Sequence, residues 1–158
     1  MELQPKPVRQ SVVEMTELVL PNDANPLGNM LGGRVMHLID VCGGMAAARH
    51  ARRVCVTASV DSLSFKHPIK VGQAVNLKGW VNYAGRTSME VQVEVYAEDL
   101  LTGERHHTST ALLTFVAVDE QGRPTPVPPV LPETPEEKRR YEEAQRRREE
   151  RLARRSRP

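Results

Sequence analysis

Hydrophobic residues recur with a helical period in one early stretch of the chain and alternate with polar residues in most of the rest. Between about residues 31 and 51 the apolar positions are spaced i, i+4, i+7 and i+11, which predicts one long helix. Upstream, residues 11–20 are rich in Val and Leu and end at a Pro-Asn-Asp turn, so they predict a first strand. The helical stripe consists of Val35, Ile39, Cys42 and Ala46.

Four alternating stretches follow the predicted helix, and connectors of hairpin length separate them. No second helical pattern interrupts these stretches, which therefore predict a meander of antiparallel strands. One long helix beside such a sheet is an α+β arrangement, and we expect the sheet to wrap around the helix. The predicted strands cover residues 54–65, 74–83, 88–97 and 107–118.

The predicted helix carries very small side chains in its second half. Gly43 and Gly44 are followed closely by the alanines at positions 46–48. A glycine inside a helix costs about 1 kcal/mol relative to alanine, so two in succession indicate that another element approaches this helix closely. A sheet wrapped around the helix would supply that contact.

The two ends of the chain differ in composition from its middle. Residues 1–10 predict a flexible start, and residues 11–131 hold the predicted strands and the long helix, so we assign them to a single domain. Residues 132–158 form the last segment, a Pro-rich strap and a charged tail. Six prolines between positions 124 and 135 predict an extended exit from the domain. Glu and Arg at i, i+4 spacing in residues 136–154 favour a solvated helix.

Composition limits the class of protein. A chain of 158 residues with 39% hydrophobic and 27% charged residues fits one soluble domain. No apolar run reaches the roughly 20 residues of a membrane span, and the N-terminus lacks a secretory signal, so we expect a cytoplasmic protein without a membrane partner. In that compartment Cys42 and Cys55 would stay reduced, and packing is their expected role. His106 and His107 lack ligand-spaced partners, so we predict no metal. We also expect no cofactor.

Positive charge is concentrated in the tail. Residues 136–158 hold ten of the 22 Lys and Arg residues against six Glu, although the whole chain has a net charge of only +2. Such a tail could contact RNA through its phosphates. The interleaved glutamates and the near absence of aromatic residues favour instead a solvated or oligomer-supporting helix, so we expect no nucleic-acid partner.

The segment between the first strand and the helix holds the residues most suited to chemistry. A turn-rich loop runs through Gly32 and Gly33 into the helix, where backbone amides are free to bind a negative charge. The loop supplies the amide side chain of Asn25, and the helix supplies the carboxylate of Asp40. That helix should be largely buried, so an acid there needs a reason. Asp40 and the amides stand roughly 10 Å apart along the helix axis, so one chain does not easily bring both to one carbonyl group.

Several short segments of the chain match one protein family in order and at compatible spacing. They resemble the acyl-CoA thioesterases of the YciA and brain acyl-CoA hydrolase group, and the similarity covers about residues 14–141. The resemblance implies the hotdog fold, with the sheet wrapped around one central helix. The matching segments are Leu18–Asn25, Gly32–Gly33, Asp40, Ala47–His50, Val56–Asp61, Gly85–Glu90 and Thr114–Ala117.

The resemblance also implies a reaction, the hydrolysis of acyl-CoA to free CoA and a carboxylic acid. Its catalytic carboxylate falls on Asp40 and its polar partner on Asn25, and the two would come from different subunits of a dimer with two equivalent sites. We expect Asp40 to act as general base or as nucleophile, Asn25 to orient water or the thioester carbonyl, and the amides near Gly32 and Gly33 to bind the oxyanion. Asp40 could instead be hydrogen-bonded inside an interface, and Asn25 could be a loop cap. Relatives further predict assembly into a trimer of dimers, a homohexamer.

CoA brings phosphates and an adenine, so cationic side chains and turn amides should line the entrance to the site. Arg86 with Thr87 and Ser88 in a turn is the first choice for this role, and Lys66 and Ser59 come next. Each of them could instead be a solvated turn residue.

Two other histidines have less to do with the reaction. His50 at the end of the helix is expected to cap the helix or to lie in an interface and not to act as a base. His37, one turn before Asp40, could tune that carboxylate, but an exposed helix face is the favoured position.

Two alternatives share the same fold. A hotdog hydratase or dehydratase would rely on a His paired with an acid, and the matching loop contains no His. A non-catalytic acyl-CoA sensor would not require Asn25 and Asp40 together. The length of the acyl chain, the effect of a regulatory nucleotide and the role of the tail stay open at this stage.

Overall fold

The computed structural model describes residues 3–156. Residues 1, 2, 157 and 158, which the predicted terminal segments include, lie outside the described part. Two 3-10 turns occur, at Val8–Ser11 and Pro21–Asp23. The strands are β1 (Lys6–Pro7), β2 (Val13–Leu18), β3 (Val54–Ser62), β4 (Ala74–Ala84), β5 (Ser88–Glu98), β6 (Arg105–Val118) and β7 (Val130–Leu131), and the helices are α1 (Gly32–Ala51) and α2 (Pro135–Arg155).

Five of the strands form one antiparallel sheet in the order β2-β4-β5-β6-β3, and this sheet wraps around α1. The predicted α+β hotdog arrangement is therefore confirmed. Alternation along the strands places one set of side chains against the helix, as in the buried series Met89, Val91, Val93 and Val95 of β5. The predicted helical stripe is buried as well, with Val35, Ile39, Cys42 and Ala46 each at most 2% exposed.

The close approach predicted from the small residues of α1 is present. The ring of Phe115 lies over Gly43, where an added Cβ would stand 3.1 Å from a ring carbon. On β4, a Cβ at Gly79 would stand 3.0 Å from the sulfur of Cys42. The sheet can therefore lie this close to the helix only because both surfaces lack side chains at these points.

The N-terminal segment, for which the sequence predicts a flexible start, contains a short strand. Lys6–Pro7 pairs in parallel with Val130–Leu131, and the Lys6 ammonium group donates hydrogen bonds to the carbonyls of Arg49 and His50 at 2.9 and 2.8 Å. The predicted extended exit thus contains a short strand that holds the start of the chain. The last carbonyl groups of α1 have no hydrogen-bond donor inside the helix, and the Lys6 side chain donates to two of them.

The C-terminal helix is also more than the solvated helix that its charges suggest, because one face packs against the outer side of the sheet. Ala144 is fully buried, and the ring of Tyr141 meets Tyr83 edge to face at 5.0 Å. Arg147 donates two hydrogen bonds, at 2.7 and 2.8 Å, to Glu90, which is 3% exposed. The i, i+4 pairs of the tail therefore account for only part of its contacts, and the sequence pattern did not reveal that one face packs on the sheet.

Candidate active site

The loop before α1 is organised around Asn25. Its side-chain oxygen accepts hydrogen bonds from the backbone amides of Leu27 and Asn29, at 2.9 and 3.2 Å. Gly28 adopts a φ of 81°, a conformation that glycine reaches without strain. Asn25 therefore shapes the loop through its oxygen, as the cap interpretation requires, and its amide NH2 group makes no hydrogen bond to the described residues. The same side chain can still donate to a ligand.

The first turn of α1 carries free backbone donors. Leu31 precedes the helix without a side-chain cap, and the amides of Gly32 and Gly33 have no acceptor among residues 3–156. Backbone amides in this position, with the positive end of the helix dipole behind them, favour a negatively charged oxygen. Arg34 does not compete for this position, because it pairs with Glu17 and Asp23 at 3.2 and 3.4 Å.

A cavity of about 330 Å³ opens beside these amides. Its walls are mostly apolar and include Gly32, Val35, Phe65 and Lys66. Thr108, which is only 1% exposed, also lines the cavity, and its buried hydroxyl has no hydrogen-bond partner among residues 3–156. The helix start thus faces a space large enough for part of a substrate, with polar groups at its edge.

Asp40 is exposed in the single chain, in contrast to the buried position expected from its place on the central helix. The face of α1 that carries it is not covered by the sheet, because β3 is the last strand on that side. Its carboxylate accepts a hydrogen bond of 2.5 Å from the hydroxyl of Thr57 on β3. A cavity of about 200 Å³ adjoins this pair and is otherwise lined by Met36, Ile39, Val60, Leu63 and Leu113.

Thr57 is a site residue that the sequence did not single out, although it lies in one of the matching segments. Alternation along β3 points its side chain toward α1, where apolar residues are the rule. A polar residue at a helix-facing position of the strand beside Asp40 was the available signal. The sequence does not indicate that this part of β3 packs against α1, so it did not predict the contact between Thr57 and Asp40.

Within one chain the two halves of the predicted site are separate. Asn25 and the glycine amides belong to the loop and helix start, whereas Asp40 and Thr57 lie in a different cavity that includes none of them. Both halves have the chemistry that a thioester carbonyl needs: donors for an oxyanion in one, an acceptor for a proton in the other. Asp40 follows Gly33 by seven residues of helix, which corresponds to roughly 10 Å along the helix axis.

The residues predicted to bind CoA fall into three places. Thr87 and Ser88 line a cavity of about 240 Å³ at the turn between β4 and β5, and Arg86 in the same turn is exposed. Lys66 lines the cavity at the helix start instead. Ser59 is exposed on β3, where its hydroxyl donates to Asp61 at 3.1 Å.

His50 is a structural residue of the fold. It is fully buried, and its Nε2 lies 2.7 Å from the carbonyl oxygen of Pro128, so this nitrogen carries the proton and donates it. Burial lowers the pKa of His50 below its ordinary value, and the Lys6 ammonium acts in the same direction, whereas the hydrogen bond to Pro128 opposes them. His50 thus joins the end of α1 to the exit strap, and His37 is exposed as expected.

The remaining metal- and redox-capable residues are dispersed. Both cysteines are free thiols, and burial raises the pKa of Cys42 and of Cys55 to about 11. His106 stacks on His67 with the ring centroids 4.4 Å apart, and His107 lies 3.1 Å from Glu94. In the part of the chain that the structure describes, no three His, Cys, Asp or Glu side chains converge as metal ligands would. Neither described helix is long and apolar enough to cross a membrane.

Comparison with known proteins places this geometry in a family. Residues 27–104 match the model of the thioesterase superfamily. A Bacillus subtilis protein described as the uncharacterised acyl-CoA thioester hydrolase YkhA is 47% identical over 129 residues, which are 82% of this chain and 75% of that protein. The cytosolic acyl coenzyme A thioester hydrolase of Rattus norvegicus is 36% identical over 89% of this chain, but the match covers only 37% of the rat protein.

Solved structures agree with the sequence comparison. A hexameric acyl-CoA thioesterase in its apo form superposes with a TM-score of 0.92 and 50% identity over 98% of this chain and 99% of that chain. The acyl-CoA hydrolase of Staphylococcus aureus, solved with butyryl-CoA, CoA and CoA disulfide, gives a TM-score of 0.87 and 39% identity over 95% of this chain and 92% of that one. The chain therefore belongs to the acyl-CoA thioester hydrolases of the thioesterase superfamily.

Proposed function

We propose that this protein hydrolyses acyl-CoA thioesters to CoA and a carboxylic acid, with Asp40 as general base. The observation that carries the proposal is the Asp40 carboxylate, held by Thr57 at 2.5 Å and placed against an apolar cavity. An oriented carboxylate at the edge of an apolar space can activate water next to a bound acyl group. The free amides of Gly32 and Gly33 supply the second requirement, donors for the oxyanion.

The reaction requires three proton or charge movements. Asp40 takes a proton from water as the water oxygen bonds to the thioester carbon, and the carbonyl electrons move to oxygen. The amides of Gly32 and Gly33 stabilise that oxyanion, and the Asn25 amide NH2 orients the water or the carbonyl. When the tetrahedral intermediate collapses, the carbon–sulfur bond breaks and the CoA thiolate takes the proton from Asp40. Apart from the attacking water, every group in these steps belongs to the chain or to the substrate, and we propose that no cofactor takes part.

The complete site is formed by two copies of the chain. β3 is an edge strand whose residues are almost all exposed, including Val54 (71%), Val56 (47%) and Val60 (42%). Next to it, α1 exposes Met36 and Met45, so backbone groups and apolar side chains lie uncovered on one side of the molecule. Edge strands of this kind readily pair with another strand. Pairing of two β3 strands around a two-fold axis would bring Asp40 of each chain toward the helix start of the other.

The relatives support this assembly and this choice of residues. One structural neighbour is a hexameric acyl-CoA thioesterase, and we propose a trimer of dimers for this chain. The Staphylococcus aureus hydrolase has also been solved as variants in which an Asp, a Thr or an Asn is replaced by Ala, the residue types present here at Asp40, Thr57 and Asn25. The rat relative is named a cytosolic enzyme, and we propose a cytoplasmic location for this protein.

The proposal is tested by CoA release from acyl-CoAs of short to long chain length, with the wild type compared with Asp40→Ala and Asn25→Ala. Both variants should lose at least about 100-fold in kcat, because each removes a group that acts in the transition state. Glu120→Ala, which removes a carboxylate from an exposed turn, is the matched control and should retain full activity. Full activity of Asp40→Ala at unchanged oligomeric mass, or CoA binding by the wild type without hydrolysis, would overturn the proposal.

A further inference from the structure

The outer side of the sheet carries a cavity that the reaction described above does not use. It has a volume of about 240 Å³ and lies between the strands and the C-terminal helix. Thr114 lines it from β6, next to Phe115, whose ring faces α1. Since neighbouring strand residues point to opposite faces, the cavity lies on the face away from α1. Its polar walls are Thr87, Ser88, Thr114, Arg148, Arg151 and Arg155.

Three arginines of α2 point into this cavity because of their spacing. Positions 148, 151 and 155 follow one another at i+3 and i+4, so their side chains share one stripe of the helix. Two contacts hold that stripe in place. The ion pair between Arg147 and Glu90 attaches the helix to the sheet one residue before Arg148. The guanidinium of Arg148 lies against Gly85, where an added Cβ would stand 2.7 to 2.9 Å from the guanidinium atoms.

The positive charge of this stripe is not neutralised by the protein. Arg151 lies 3.5 Å from Asp61, but Arg148 and Arg155 have no carboxylate within 4 Å in residues 3–156. The turn between β4 and β5 adds a further exposed cation, Arg86. Guanidinium groups facing hydroxyl donors form a typical binding site for phosphate, which accepts several charge-assisted hydrogen bonds at once.

We propose that the arginine stripe of α2, Arg148 and Arg155 in particular, binds the phosphates of CoA. This inference rests on the proposed function, because it takes acyl-CoA as the ligand. Ser88 pairs with Val116 on β6, and Val116 pairs with Val56, the neighbour of Thr57 on β3. Two strand spacings separate Ser88 from Val56, about 10 Å, which an extended pantetheine arm can span around the end of the sheet.

The test compares two substrates that differ only in the phosphates, an acyl-CoA and the corresponding acyl-pantetheine. For Arg148→Gln combined with Arg155→Gln, we expect the KM for acyl-CoA to rise about 10- to 100-fold with kcat unchanged, because charge-assisted hydrogen bonds are lost from bound ground state and transition state alike. The KM for acyl-pantetheine should stay at the wild-type value. Arg146→Gln, an exposed arginine of the same helix that does not line the cavity, is the control and should change neither KM.

Titration calorimetry with CoA separates this inference from the proposed function. If the wild type hydrolyses no thioester but binds CoA, and the double variant binds CoA at least tenfold more weakly, the phosphate site stands and the catalytic proposal falls. If the double variant keeps the wild-type melting temperature and the wild-type affinity for CoA, the inference is wrong. Equal changes in KM for acyl-CoA and acyl-pantetheine would also overturn it, since they would indicate a displaced helix and no contact with phosphate.

Discussion

At the scale of single residues, the Thr57 hydroxyl determines how the Asp40 carboxylate is presented. Both side chains are exposed in the single chain, so without their 2.5 Å hydrogen bond the carboxylate would rotate freely. Thr57→Val removes the donor at nearly constant volume. We expect kcat for acyl-CoA hydrolysis to fall about 10- to 100-fold with little change in KM. A displacement of the base by about 1 Å is enough to lower the rate of the chemical step by such a factor. Steady-state CoA release gives both constants.

The conservative variant distinguishes positioning from packing at this residue. Thr57→Ser keeps the hydroxyl and loses only a methyl group, so it should restore most of the wild-type kcat. If Thr57→Val is fully active, or if Ser and Val reduce kcat equally, then the hydroxyl has no part in the orientation of Asp40.

His50 makes the stability of the fold depend on pH. The native pKa of this buried imidazole lies below its ordinary value of 6.5, so between the two values the unfolded chain binds a proton that the native protein does not. The free energy of unfolding should therefore fall as the pH drops below about 6.5, by up to about 1.4 kcal/mol per pH unit from this group. Urea denaturation at pH 7.5, 6.5 and 5.5 measures the slope.

His50→Gln supplies the comparison, because a glutamine amide can still donate to the Pro128 carbonyl but does not titrate. Its unfolding free energy should depend less steeply on pH than that of the wild type in the same range. Identical slopes for the two proteins would show that His50 does not cause the acid sensitivity.

At the scale of elements, the docking of α2 depends on a buried charge in the sheet. Glu90 is 3% exposed and bonds to Arg147 and to the Asn82 amide at 2.9 Å, and the pair with Glu90 raises the pKa of Arg147. Arg147→Met should leave the Glu90 carboxylate without its counter-charge. We expect a loss of about 1–3 kcal/mol in unfolding free energy, less than for a fully enclosed pair because Arg147 is 33% exposed. Chemical denaturation and the rate of proteolysis within α2 report the change.

A double-mutant cycle assigns that loss to the ion pair. Glu90→Gln together with Arg147→Met removes both charges, so the double variant should be more stable than the sum of the single losses predicts. Simple additivity of the two changes would mean that the pair does not hold the helix.

These elements also mark how far the sequence leads. The period of α1 and the alternation of the four long strands were sufficient for the α+β class, because each element has one face against a common core. The hotdog fold itself was predicted from the matching segments. The packing of α2 was not predicted, since its inner face combines polar pairs such as Arg147 with Glu90 with only a few apolar residues and therefore shows no clear apolar period. Thr57 was missed because the contact between its strand and α1 leaves no trace in the period of either element. Asn25 and Asp40 were noticed from their residue types and positions, and the matching segments gave them their roles.

At the scale of the whole molecule, one chain provides two half-sites and an open edge. The sheet ends at β3, whose outer edge has no strand partner among the described residues, and the apolar side chains beside it continue onto α1. Asp40 lies on this uncovered side, and its cavity contains neither the Asn25 loop nor the helix start. A two-fold pairing at β3 would cover the apolar surface and complete both half-sites in one step.

Subunit mixing tests whether the site is shared between chains. Asp40→Ala and Asn25→Ala should each be inactive alone, but a mixed dimer has one site with both substitutions and one site with neither. Denaturation and refolding of the two variants in equal amounts should therefore restore about a quarter of the wild-type activity, since half of the dimers are mixed and half of their sites are intact. Refolding wild type with an equal amount of Asp40→Ala should give about half of the wild-type activity, whether the site lies within one chain or between two. This control shows that the subunits have mixed. If the two inactive variants stay inactive after mixing while this control behaves as expected, Asn25 and Asp40 must act within one chain, and the dimeric site proposed here is wrong.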